Sequence, residues 1–216
     1  MKTEDLVTRL CLDESQPKRW TPATALLIAV MAAFAAAVSL SFVWLTPRVD
    51  LLAVLDARDH TVLLKFAFTF SVVVAALPIV RDLTTPGRAV GTAAIIALLP
   101  FLIVTLLAAR ELAMLPSVEL HRLTVDASWA ACLWQIPVLG LPAFAIFALC
   151  ARRMAPTNLN RTGAYIGLLA GGIGAAGYAL HCHDDSMVFV AIAYTLAITE
   201  MAAVGALLGP RILRWT

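Results

Sequence analysis

The stretch TGAYIGLLAGGIGAAGYALH, residues 162–181, combines the length of a membrane-spanning helix with six glycines. Gly163, Gly167 and Gly171 lie four residues apart, so in a helix they share one face. Small residues at this spacing let two helix backbones approach closely. We therefore predict that this segment is the packing centre of a helical bundle, the alternative being a functional face lined by glycine.

The composition of the whole chain is that of a membrane protein. Of its 216 residues, 61% are hydrophobic and 14% are charged, whereas a soluble domain carries roughly 25% charged residues. The net charge of +2 is too small, and the basic residues too scattered, to indicate nucleic-acid binding. The sequence contains no G-x-S-x-G, no H-E-x-x-H and no phosphate-binding loop, so we do not expect an enzyme.

Six apolar runs each have about the 20 residues that span a bilayer. They cover residues 22–45, 61–80, 89–109, 128–150, 162–181 and 187–208. The predicted fold class is therefore all-α, a polytopic membrane protein with a six-transmembrane-helix bundle. Its parts are an N-terminal segment (residues 1–20), a transmembrane domain (residues 21–209) and a short tail (residues 210–216).

Lysines and arginines are unequally divided between the two sides of this bundle. Of the 16 in the chain, eleven fall on the side of the termini and five on the other. Because cytoplasmic loops carry the excess of these residues, both termini are predicted to be cytoplasmic. All four histidines and Cys182 then fall on the outer side, and Cys132 lies about one helical turn inside it.

The N-terminal segment contains one short amphipathic pattern. Thr3 suits the N-cap position, and Asp5 lies in the first turn, where a negative charge favours the helix dipole. Leu6 and Leu10 lie four residues apart, and Val7 adds to the same apolar face. Because so short a helix is marginal alone in water, this face predicts a peptide that docks on a partner. A disordered tail is the alternative.

The turn HCHDDS, which begins at His181, brings a thiol, two imidazoles and two carboxylates together. Cys182 and Cys132 are at matching depth, and in an oxidising compartment they can form a disulfide or bind a soft metal as thiolates. His181, His183 and Asp184 are candidate further ligands for such a metal. The alternatives are two unrelated buried cysteines and polar loop residues at the headgroup boundary.

Four other polar residues lie in or near the apolar runs. Asp185 and Ser186 precede the sixth run and suit the N-terminus of its helix. Glu200 lies inside that run, and a carboxylate at a helix centre costs roughly 2.5–3.5 kcal/mol to insert, so we expect it to face the bundle interior. Lys65 is close enough to the outer boundary to extend its amine to the headgroups.

The opening MKTEDL, the six-run layout, Cys132 at the outer start of the fourth run and the turn that contains Cys182 resemble the NrsF-like family. Its members are bacterial inner-membrane anti-sigma factors. The resemblance implies that residues 1–20 hold an extracytoplasmic-function sigma factor, and that Cys132 and Cys182 respond to heavy metal or oxidative stress. It implies no required cofactor, only a transient heavy-metal ion at the two cysteines. The expected partners are the sigma factor and the lipid bilayer, and the sequence leaves a homo-oligomer open.

Two other functional classes stay open. A membrane thiol oxidoreductase linked to quinone would also place cysteines at the outer face, but it usually needs a second pair such as C-x-x-C, which this sequence lacks. A metal or proton transporter could use Glu200, but the sequence shows no chain of ionisable residues through the membrane.

Overall fold

The computed structural model describes residues 3–5, 7, 21–46, 48, 60–85, 87, 91–114 and 128–214, and within these all regular structure is helical, as predicted. The helices are α1 (Pro22–Trp44), α2 (His60–Leu83), α3 (Ala93–Ile96), α4 (Leu99–Met114), α5 (Ser128–Arg152), α6 (Leu159–Ala179), α7 (Met187–Phe189) and α8 (Thr195–Ile212). A π-helical segment, Val190–Tyr194, joins α7 to α8.

The glycine-rich helix α6 lies at the centre of the bundle, against α8, α5, α2 and α1. A Cβ atom added at Gly163 or Gly167 would overlap the backbone of α8, at Gly205 and Met201 respectively. One added at Gly174 would lie 2.7 Å from a backbone nitrogen of α5. Because these approaches leave no room for a side chain, the prediction that the glycines form the packing centre is confirmed.

Five helices are long and apolar enough to cross a membrane: Ala23–Trp44, His60–Leu83, Ala93–Met114, Trp129–Arg152 and Met187–Ile212. The third of these extends five residues beyond its predicted end at residue 109. The predicted span at residues 162–181 corresponds to α6. This helix is 21 residues long, but it is not one of the five helices that are apolar enough to cross a membrane. Glycine adds little hydropathy, and α6 is surrounded by other helices, so the prediction of six spans stays a prediction.

The N-terminal segment is described only in part. Thr3, Asp5 and Val7 have helical conformation and exposed side chains, in line with the short helix predicted there. Leu6 and Leu10, which complete its apolar face, lie outside the described residues.

The start of α1 and the end of α6 lie at opposite ends of the bundle. At one end, the backbone N–H of Arg48, after α1, donates to the carbonyl of Leu180, after α6 (3.1 Å). At the other end, Leu26 near the start of α1 shares a core cluster with Leu213, which follows α8. The start of α1 and the turn after α6 are therefore separated by the length of the bundle.

Candidate functional site: a buried thiol pair

Cys132 and Cys182 lie side by side at the end of the bundle where α6 ends. Cys132 is the fifth residue of α5, and Cys182 is in the turn between α6 and α7. Both are buried free thiols in the same core cluster, and they are close enough for each to influence the ionisation of the other. The structure thus brings together two residues that are fifty positions apart in the sequence.

Cys182 is the more acidic of the two thiols. The thiol of Cys132 beside it is the main cause that lowers the pKa of Cys182 below the usual cysteine value, and the charge of Lys65 lowers it further. These effects outweigh burial, which raises the pKa of the same thiol. The site therefore offers a thiolate, the nucleophilic and metal-binding form of cysteine, next to a second thiol.

Two cations hold the turn in place. The Nζ atom of Lys65 donates to the carbonyl oxygen of Cys182 at 3.2 Å and pairs with Oδ1 of Asp185 at 2.5 Å. Nη1 of Arg48 lies 2.9 Å from Oδ2 of Asp185 and donates to the same Cys182 carbonyl at 3.4 Å. The prediction that Lys65 extends to the headgroups was wrong: its side chain is 0% exposed, because the carboxylate and the carbonyl satisfy its charge inside the protein.

The last helix is capped by a residue that the sequence analysis missed. Ser186 occupies the N-cap position, as expected, but its hydroxyl donates to Oε1 of Glu111 (3.0 Å). Oε2 of Glu111 accepts the backbone N–H of Met187 (2.7 Å), and Oδ1 of Asp184 accepts that of Ser186 (3.1 Å). Asp185, which we also expected at this N-terminus, pairs with the two cations instead. The sequence held one indication that Glu111 has a structural role: it is a carboxylate just beyond the end of the third predicted span.

The two histidines of the turn lie at its outer side. Nδ1 of His181 donates to the carbonyl oxygen of Thr46 (2.8 Å), and its ring centre is 6.4 Å from that of His183, which is exposed. In the described parts of the chain, no group of three or more His, Cys, Asp or Glu side chains is placed to hold a metal ion. Metal ligation by His181, His183 or Asp184 stays a prediction, and the thiol pair is the best-formed candidate for a soft ion.

Two tyrosines, also missed by the sequence analysis, surround the thiols. Tyr178 in α6 and Tyr194 in the π-helical segment have ring centres 6.0 Å apart, and both interact electrostatically with the cysteines. The Tyr194 side chain is fully buried, with its hydroxyl beside Cys182. Both rings help to exclude water from the two sulfurs.

Glu200 is not part of this site. In α8, the buried residues Ile198 and Met201 contact the glycines of α6, whereas Glu200 is exposed on the outer surface. The prediction that Glu200 faces the bundle interior was wrong, because the close contact with α6 fixes which side of α8 points inward. The transporter hypothesis depended on an inward-facing Glu200 and is not supported.

The fold and the site define a class: an all-helical protein in which five helices have the length and composition of membrane spans, with a buried thiol pair at one end. The chain matches NrsF, described as a negative regulator of sigma F, over residues 10–215, and it belongs to this family. The resemblance found in the sequence is therefore confirmed.

Two relatives match the chain along its whole length. The chain is 30% identical over 216 residues to the anti-sigma-F factor NrsF of Caulobacter vibrioides, with all of both chains covered. It is 32% identical over 215 residues to the probable anti-sigma-F factor NrsF of Azospira oryzae, again with all of both chains covered. No solved structure matches. The family is regulatory rather than enzymatic, and anti-sigma factors bind a sigma factor.

Proposed function

We propose that this protein is an anti-sigma factor of the bacterial inner membrane that senses stress through its thiol pair. It holds an extracytoplasmic-function sigma factor with residues 1–20 at the cytoplasmic face. It releases that factor when Cys132 and Cys182 react with an oxidant or a heavy metal at the outer face. The observation that carries this proposal is the contact between the two buried thiols, one of them with a lowered pKa, at the far end of the bundle from the start of α1.

Membrane embedding is supported by what the helices present on their outside. Large apolar side chains point away from the bundle on several helices, among them Met31, Val74 and Leu207, which are 72%, 70% and 73% exposed. If water surrounded the helices, exposing these side chains would cost about 25 cal/mol of free energy per Å² of apolar surface. Helices that are apolar on the outside as well as the inside are typical of membrane spans, so we infer that lipid covers these faces. The excess of lysine and arginine on the side of the termini supports a cytoplasmic position for both.

Oxidation by hydrogen peroxide needs no reactant other than the two cysteines. The Cys182 thiolate attacks one peroxide oxygen and becomes a sulfenic acid, as hydroxide leaves and takes up the proton that Cys182 had released. The Cys132 thiol then displaces water from the sulfenic sulfur to form the S–S bond. Two electrons pass from the sulfurs to the peroxide, which is reduced to two molecules of water.

A soft metal ion would use the same pair. Thiolate sulfur is the ligand that soft and heavy ions prefer, and each thiol must lose its proton to bind. Cys182 has the lowered pKa and loses its proton first, and the bound cation then favours ionisation of Cys132. The proposal therefore accounts for a response to either kind of stress at one site.

The signal would travel through α5 and the turn. A disulfide between the two sulfurs would join α5 to the turn after α6. The Cys182 carbonyl of that turn already accepts hydrogen bonds from Lys65 and Arg48. A shift of α5 would be passed along this helix, which packs against α1, and the N-terminal segment precedes α1 in the chain. Moving the sigma factor from about 1% to 99% free requires about 5.5 kcal/mol. A disulfide between residues 132 and 182 contributes to this shift to the extent that it forms with less strain in the arrangement of α5 that frees the sigma factor than in the arrangement that holds it.

A quinone-linked oxidoreductase has less support. Such an enzyme needs a second pair of thiols for exchange, and the remaining described cysteine, Cys150, lies 18 residues along α5 from Cys132. At 1.5 Å per residue this separation is about 27 Å.

The experiment that tests sigma-factor binding is a pull-down of the full chain from detergent, compared with a chain that lacks residues 1–20. We expect the truncated chain to elute as the same folded species in size-exclusion chromatography but to recover no sigma factor. Leu6→Glu, on the predicted apolar face, should have the same effect. Thr8→Glu, on the opposite side of the predicted helix, is the matched control and should retain binding. Recovery of the sigma factor by the truncated chain would show that another surface binds it.

A further inference from the structure

Glu200 lies at the middle of the last helix and points away from the protein. Thirteen residues separate it from Met187 and twelve from Ile212, the two ends of this candidate span. At 1.5 Å per residue it is therefore about 20 Å from each end. Its side chain is exposed, and it has no hydrogen-bond or ion-pair partner in the part of the chain that the structure describes.

A carboxyl group at this depth needs a partner. Ionisable residues within membrane spans almost always face protein or water-filled cavities, because a polar group in hydrocarbon has nothing to bond to. The residues one turn away on the same face, Leu196 and Val204, are apolar and exposed, so no polar route leads from Glu200 to either membrane surface. The neighbouring Thr199 is exposed too, and its hydroxyl already donates to the carbonyl of Thr195 (2.8 Å).

We infer that a second copy of this chain covers this face, with the two Glu200 side chains bonded to each other across a two-fold axis. Copies inserted in the same orientation carry Glu200 at the same depth, and a two-fold axis along the membrane normal brings the residue opposite itself. A protonated carboxyl group has one donor and an acceptor oxygen, so two of them satisfy each other completely.

A second copy fits better than a different protein. A foreign helix would have to bring its own polar group to the centre of the membrane, at the same cost that Glu200 incurs. The self-complementary arrangement needs no such second group. This inference rests on the membrane embedding proposed above but not on sulfur chemistry or on sigma-factor binding.

The test is energy transfer between full-length chains that carry donor or acceptor fluorescent proteins at the C-terminus, mixed in liposomes. We expect transfer in the wild type, and Glu200→Leu should weaken association roughly tenfold, as the loss of an interhelical hydrogen bond in a membrane predicts. Glu200→Gln keeps a donor and an acceptor and should retain most of the transfer. Leu106→Ala, an exposed apolar position on α4, is the matched control and should behave as wild type.

The outcomes separate this inference from the proposed function. If the chain does not insert into liposomes, judged by protection from added protease, membrane embedding itself is wrong. If it inserts but shows no more transfer than an unrelated monomeric membrane protein, the second copy is ruled out and embedding stands. Equal transfer in the wild type and Glu200→Leu would also overturn the inference, since an exposed leucine in a membrane span does not impair folding.

Discussion

At the scale of single residues, the reactivity of Cys182 depends on Cys132. The Cys132 thiol is the main cause that lowers the pKa of Cys182. The substitution Cys132→Ala removes this thiol. The pKa should then rise, because burial remains as an opposing effect. Alkylation requires the thiolate, which forms above the pKa, so at pH 7 the rate of alkylation of Cys182 should fall about tenfold.

This prediction is checked by iodoacetamide labelling between pH 5 and 10 (about the range over which cysteine ionises), with mass spectrometry of the peptide that contains Cys182. Cys132→Ser keeps a hydroxyl donor next to the sulfur and is the matched control, with a pH midpoint closer to that of the wild type. If the wild type and Cys132→Ala show the same midpoint, the thiol contact is not what activates Cys182.

The two adjacent aspartates of the turn should differ in their contribution to stability. Asp185→Ala removes the carboxylate that pairs with the buried Lys65, and breaking such a pair costs about 3–5 kcal/mol. Asp184→Ala removes a hydrogen bond to the N–H of Ser186 and should cost about 1 kcal/mol. Thermal unfolding of the two variants in one detergent compares them directly, and equal melting temperatures would contradict this account of the turn.

Single residues were predicted unevenly from the sequence. The turn with Cys182 was identifiable because so many reactive groups rarely occur together in an apolar chain. Lys65 and Glu200 were misplaced in opposite directions, one being buried and the other exposed. The side of a helix on which a residue lies depends on which neighbouring helix packs there, and no short-range pattern in these uniformly apolar runs encodes that.

At the scale of helices, the spacing of α6 from α8 depends on glycine. Gly167→Ala would force the backbone of α8 at Met201 to move, and overpacking of this kind costs about 1–3 kcal/mol or more. Gly177→Ala, in the same helix, meets its nearest atom, the carbonyl oxygen of Ala37, at 3.3 Å. The better helix propensity of alanine, about 1 kcal/mol, should offset that milder contact. A measured loss of stability as large for Gly177→Ala as for Gly167→Ala would show that close approach is not the cause.

The helices themselves were largely predictable, whereas their irregularities were not. Glycine spacing identified α6 as the packing centre because close approach of helices requires small residues at that period. The π-helical segment Val190–Tyr194 has no counterpart in the sequence pattern. It lies where the last helix turns Tyr194 toward the cysteines, so the tertiary contacts of the site, rather than local propensity, account for it.

At the scale of the whole molecule, the proposal joins two sites that are separated by the length of the bundle. Coupling over this distance requires that a change at the sulfurs alter how α5 packs on α1, since the N-terminal segment extends from α1. The family and the all-helical architecture were both predictable from the sequence.

The most direct test is the fraction of sigma factor that stays bound to the full-length protein in detergent before and after peroxide treatment. Oxidation of the Cys132–Cys182 pair is verified by mass spectrometry in the same samples. We predict that the wild type and Cys150→Ser lose at least about nine-tenths of the bound sigma factor, a loss that requires a shift of about 4 kcal/mol when about 99% is bound at the start. The double variant Cys132→Ser, Cys182→Ser should keep it. Retention by wild-type protein whose pair is fully oxidised, or equal release from the double variant, would contradict the central claim.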